Sequence, residues 1–238
     1  MSQTGSKNLV VFDIDGTLMH SAGYDESMFK RAHAEHLGSE LTNAHWGNFT
    51  HMTDHAINTE FFERTHGRPA TVAEVTDIKN TFFGYIKAAH EEAPEKFTPV
   101  KGSINAVNQL LETDGWSICF ASGGWGVSSS FKLSTLGFDA ALHPSAFGDT
   151  HGDRLTLVKS AIAAAAAVEQ IDKFDRIISI GDAIWDVETA RILDLAFIGV
   201  STWVAPSKLK AAGASHVIDH YEDYGQFSEF LNLAKVPT

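Results

Sequence analysis

The chain has 238 residues, with 18 Lys+Arg against 30 Asp+Glu for a formal net charge of −12, and 44% of its residues are apolar. That length suits one large domain or two small ones, and the apolar share is enough for a sizeable core, so a fibrous or disordered chain is excluded. The net negative field opposes nucleic acid and anionic membrane surfaces as main partners and leaves small molecules open.

The first apolar run, Leu9–Phe12, follows a polar stretch and stops at Asp13, too short for a secretory leader or a membrane span. The single cysteine, Cys119, excludes an intrachain disulfide and a Cys-based zinc site. It suits a reducing compartment, so a cytoplasmic protein is expected. The run reads as a buried strand, and it ends in Asp13-Ile14-Asp15-Gly16-Thr17. In an open α/β sheet the carboxyl ends of strands border the ligand crevice, which places Asp13 and Asp15 for chemistry. An Asx turn closing a strand is the plainer alternative.

Residues 20–97 carry helical patterns at Glu26–His36, Asp54–Thr65 and Thr71–Ala93, and no convincing strand. Thr71 with Glu74 three residues on forms a capping-box signature. The segment reads as a helical insertion, with Pro94 and Pro99 marking the return to α/β alternation. It holds eight of the twelve histidines, including His33/His36 and His51/His55 at helix-face spacings. Without a third ligand nearby these pairs read as solvated or hydrogen-bonded faces rather than a metal site.

A helical pattern through Ile104, Val107, Leu110 and Leu111 leads to a strand at Trp116–Ala121, which ends in Ser122-Gly123-Gly124-Trp125-Gly126 ahead of a helix. Glycines permit close backbone approach, and N–H groups at a helix start bind phosphate oxygens, although a plain turn is also consistent. Leu155, Val158 and Ile162 mark the next helix; Arg154 stands just before it and Lys159 lies within it. The strand Arg176–Ile180 then ends in Gly181-Asp182, with Asp186 four residues on. Four carboxylates at two strand ends repel one another unless a cation sits among them, and hard oxygen ligands select Mg²⁺. The helix Val187–Leu193, the strand Leu195–Val200 and a weaker strand at His216–Asp219 complete an α/β chain with a mostly parallel sheet.

Asp13-x-Asp15-Gly16-Thr17, the strand-end Ser122, a basic residue and Gly181-Asp182-x-x-x-Asp186 occur in the order of the haloacid dehalogenase superfamily, which the chain resembles along its whole length. The inserted helices are similar to the cap of its phosphoglycolate phosphatase-like branch. Thr53-Asp54 resembles a cap motif of that branch, with His51 where a glycine is usual. The resemblance implies a Rossmann-like parallel core of residues 1–19 and 98–238 with an all-helical cap at 20–97. It implies a Mg²⁺-dependent phosphatase acting on a small phosphorylated metabolite, phosphoglycolate-like or a sugar phosphate.

In that reading Asp13 attacks phosphorus, Asp15 is the acid and base, and Ser122 binds a phosphoryl oxygen. Thr17, Gly123 and Gly124 surround the substrate's phosphoryl end, while His51 and Asp54 act in substrate selection. Mg²⁺ is held by Asp13, the Asp15 carbonyl and Asp182, with Asp186 nearby or acting through water. The basic residue is Arg154 or Lys159, and the helix-start position favours Arg154. Asp15 argues against dehalogenation. A phosphomutase is the nearest alternative, and a catalytically silent metabolite-binding module is a further one that the full acid set opposes.

Overall fold

The computed structural model describes residues 7–38 and 49–238. Its six strands are β1 (Asn8–Phe12), β2 (Trp116–Ser122), β3 (Ser145–Phe147), β4 (Arg176–Gly181), β5 (Ala196–Val200) and β6 (His216–Ile218). They form one sheet in the order β3-β2-β1-β4-β5-β6, and every neighbouring pair is parallel. That is the doubly wound order in which the chain reverses direction across the sheet beside β1. Phe12 is in register with Phe120 of β2 and Ile180 of β4. Asp13 and the residues that close β2 and β4 therefore emerge side by side at that switch point.

The strands are apolar at successive positions because both faces are covered. Val10, Phe12, Phe120 and Ile180 point into one cluster with α4 (Ser103–Leu111) and α9 (Tyr224–Leu233). Leu9, Val11 and Phe197 point into the other, where α6 (Arg154–Glu169), α7 (Ile184–Ile192) and α8 (Pro206–Ala211) pack. Cys119 is buried in that second layer. Among the described residues no helix is long and apolar enough to cross a membrane.

Between β1 and α4 the described residues form α1 (Ala22–Leu37), α2 (Asp54–His66), α3 (Val72–Glu92) and a 3₁₀ turn at Pro94–Lys96. Thr71 and Glu74 exchange the two bonds of the capping box that starts α3. The insertion leaves and returns through adjacent backbone: Met19 bridges Pro99, His20 N–H donates to the Thr98 carbonyl at 2.8 Å, and Val100 N–H to the Leu18 carbonyl at 2.9 Å. Its inner face joins the core through aromatic contacts. Trp125, at the N-cap of α5 (Gly126–Thr135), packs against Phe29, His33 and Phe82.

One sequence expectation changes here and another sharpens. His51 stands ahead of α2, so it does not share a helix face with His55. His33 is fully buried, its ring nitrogens 2.9 Å from the Phe29 carbonyl and 3.1 Å from Asn58 Oδ1. It is a packed core histidine. The sequence reading also passed over β3, α8 and α9.

Candidate active site

The loop after β1 carries the first acids because Gly16 lets the chain turn back at once. Gly16 has φ +76°, and a Cβ there would lie 1.9 Å from Asp182 Oδ2, so both conformation and space require glycine. Asp13 takes position from Ile180, whose carbonyl accepts its N–H at 3.0 Å, and Thr17 Oγ1 lies 3.3 Å from Asp13 Oδ2. One carboxylate oxygen each from Asp13, Asp182 and Asp186 lie within 4.8 Å of one another. Among the described residues, Asp182 Oδ2 is buried with no hydrogen-bond partner.

Three buried acids so close are costly. Burial, outweighing the pull of Arg154 and joined by repulsion from Asp186 and Asp15, raises Asp13 to about 7. Burial and repulsion from Asp13 and Asp186 hold Asp182 well above the usual carboxylate range. The trio is thus short of positive charge. Asp15 differs from the expected convergence, since its carboxylate turns toward Ser21 Oγ at 2.5 Å and Lys132 Nζ at 2.7 Å.

Of the two basic candidates, Arg154 meets the acids and Lys159 does not. Arg154 begins α6, capped by Asp153, and its guanidinium lies 3.1 Å from Asp13 Oδ1 and 2.5 Å from Asp186 Oδ1. Burial would weaken its hold on the proton, but Asp186 and Asp13 outweigh that and push it above its ordinary range. Lys159 is exposed and lines a neighbouring cavity.

Ser122 ends β2 buried, with Gly124 N–H donating to its hydroxyl at 3.2 Å. The glycine loop is closed in by the start of α2: Asp54 N–H donates to the Gly123 carbonyl and Trp125 N–H to Asp54 Oδ2, each at 2.8 Å. A Cβ on Gly123 would lie 2.5 Å from the Met52 carbonyl oxygen. Only glycine admits this approach. Burial and the neighbouring Asp25 raise Asp54 well above the usual range.

A pocket of about 100 Å³ gathers Asp13, Asp15, Ser122, Gly123, Gly124 and Arg154, with Asp54 and Asp182 also in its wall. Thr17 lies behind Asp13, Asp186 behind Arg154, and His51 lines the adjoining cavity, while Met52 takes the place beside the pocket. The sequence reading missed Lys132. It is fully buried on α5 and pairs with both Asp15 and Asp25 of α1. Burial works against its charge, yet the two carboxylates outweigh it and raise its pKa. Ser129, Lys132, Leu133 and Leu136 follow helix-face spacing into buried positions, a signal that marks this lysine as inward.

Comparison with known proteins is consistent across the chain. The haloacid dehalogenase-like hydrolase family model matches residues 7–194. The chain is 21% identical over 221 residues to a phosphoglycolate phosphatase of Mesorhizobium japonicum, covering 91% of this chain and 92% of that protein. The fold is similar to a hydrolase from Pseudomonas syringae, with TM-score 0.70 and 19% identity over 94% of this chain and 98% of the other. It is also similar to a predicted phosphatase from Clostridium acetobutylicum, with TM-score 0.59 and 21% identity over 94% and 99% of the two chains.

Proposed function

Because the chain belongs to the haloacid dehalogenase-like hydrolase family, we propose that it is a Mg²⁺-dependent phosphatase releasing phosphate from a small phosphorylated metabolite. The observation that carries this reading is the trio of Asp13, Asp182 and Asp186, with its unpartnered buried oxygen, beside Arg154 and Ser122 at the carboxyl ends of parallel strands. The name of the Mesorhizobium relative makes phosphoglycolate the first substrate to assay.

An all-oxygen donor set that lacks positive charge fits Mg²⁺. Asp13, Asp182 and the Asp15 carbonyl would hold the ion, with Asp186 beside them, and when bound it would neutralise charge on the phosphoryl group. Arg154 and Ser122 orient the phosphoryl oxygens, and the Gly123–Gly124 backbone gives them room. An Asp13 carboxylate oxygen bonds to phosphorus as the bond to the alcohol oxygen breaks, and Asp15 gives that oxygen a proton. Asp15 then takes a proton from water as the water attacks the aspartyl-phosphate, freeing phosphate and Asp13. Splitting one displacement into two lets a single site serve both steps.

The helical insertion at 20–97 acts as a cap over a core of 1–19 and 98–238. Support comes from its adjacent ends and from α1 and α2 supplying part of the pocket wall. A cytoplasmic setting belongs to the same reading. Chelation with EDTA should abolish phosphate release from an aryl phosphate, Mg²⁺ should restore it, and Asp182→Ala should raise the Mg²⁺ needed. Full turnover after exhaustive chelation would overturn the reading.

A further inference from the structure

The pocket has two unlike walls. The phosphoryl wall is described above; the other comes from α1, α2, the first turn of α7 and the loop after β5. Asp25 and Glu26 of α1 and Asp54 of α2 present carboxyl groups there, and the indoles of Trp185 and Trp203, 5.5 Å apart, line the same space. That the space receives a ligand rests on Ser122 and on the unpartnered, buried Asp182 Oδ2, both also in its lining.

Among the described residues that line it, Arg154 is the one cation, and it is taken up by Asp13 and Asp186. Lys132 is fully buried behind the wall between Asp15 and Asp25, and Lys30 pairs with Glu26 from outside the lining. A leaving group bearing a carboxylate would meet acids with no cation turned toward it. A positively charged one would meet carboxylates and aromatic surface together, the two features that bind ammonium groups.

Resting on the phosphatase reading above, we propose that the substrate is the phosphomonoester of an amino alcohol, its ammonium group held by Asp25 and Glu26 beside Trp185 and Trp203. The phosphoryl end then sits against Ser122 and Arg154, and the alcohol released is cationic.

The test compares kcat/KM of the full chain with Mg²⁺ on phosphoethanolamine, glycerol 1-phosphate, phosphoglycolate and an aryl phosphate. The expected order is amine, then neutral polyol, then acid, with the amine ahead of the polyol by ~10-fold or more, the worth of one charge-assisted contact. Glu26→Gln, on a half-buried side chain, should shrink the amine-to-polyol ratio by ~5-fold or more, with Asp25→Asn as a second variant. Aryl phosphate hydrolysis with no preference for the amine, or with the acid preferred, overturns the proposal and leaves the phosphatase reading standing. An amine preference unmoved by both variants also overturns it. Failure on all four substrates overturns the phosphatase reading itself.

Discussion

Two cations, one buried and one nearly so, hold the pocket from different sides. Arg154 bridges Asp13 and Asp186, all three on the α/β part, whereas Lys132 bridges Asp15 after β1 to Asp25 on the inserted α1. Each balances two carboxylates, yet the first lies within the proposed phosphoryl site and the second ties the insertion to the loop after β1. Similar charge arithmetic therefore serves chemistry in one place and assembly in the other. Lys132 is fully buried, while the Arg154 side chain is 10% exposed and can reach a substrate.

The comparison breaks most sharply at Asp13, the proposed nucleophile. Asp13→Asn should lower phosphate release on the order of 10⁴-fold or more while leaving circular dichroism unchanged, because the covalent route is lost. Asp15→Asn should cost ~10²–10⁴-fold on a substrate with a poor leaving group and less on an aryl phosphate, which needs little proton donation. Arg154→Met should cost roughly 10²–10³-fold in kcat/KM, the effect of deleting one donor to a developing charge. Lys132→Met should act chiefly on stability: removing one partner of a buried ion pair costs about 3–5 kcal/mol, measurable by urea unfolding. If Lys132→Met instead unfolds like the native chain, the tie between α1 and the sheet lies elsewhere.

The smallest effect concerns His33. Burial depresses its pKa from 6.5 to about 4, so between those values the unfolded chain binds a proton that the folded chain does not. Its contribution is complete above pH 6.5 and is lost as pH falls toward 4, up to about 3 kcal/mol. Unfolding free energies of the native chain and His33→Gln across that window should converge as the pH falls. Parallel curves would mean the ring binds its proton equally well in the folded and unfolded chains, with no depression of its pKa by burial.

The strand-end motifs were legible because their chemistry is local. Apolar runs broken by Asp13, Ser122 and Asp182 can be read without knowing which strands pair, and those runs coincide with β1, β2 and β4 within a residue or two. The starts of α2 and α3 were legible for the same reason, since Thr53 and Thr71 cap them from neighbouring positions. The pairing of Lys132 was not, because its partners lie 117 and 107 residues away, although its spacing with Leu133 and Leu136 marks an inward position. Three-residue β3 has no apolar run of its own and exists through pairing with β2. α9 could have been found, since Asp223 caps it and Phe227 and Leu231 repeat at helical spacing.

Met19 and Pro99 lie across one backbone bridge, and the hydrogen bonds on either side of it join residues 18–20 to 98–100. A detour that departs and arrives at one point transmits little of its own length to the sheet, since β1 and β2 are paired in register whatever lies between. Closing a longer or shorter loop at that point costs only a logarithmic entropy term. The bridge thus works as a socket: the stretch it closes can be lengthened or shortened over evolutionary time while β1 and β2 keep their register.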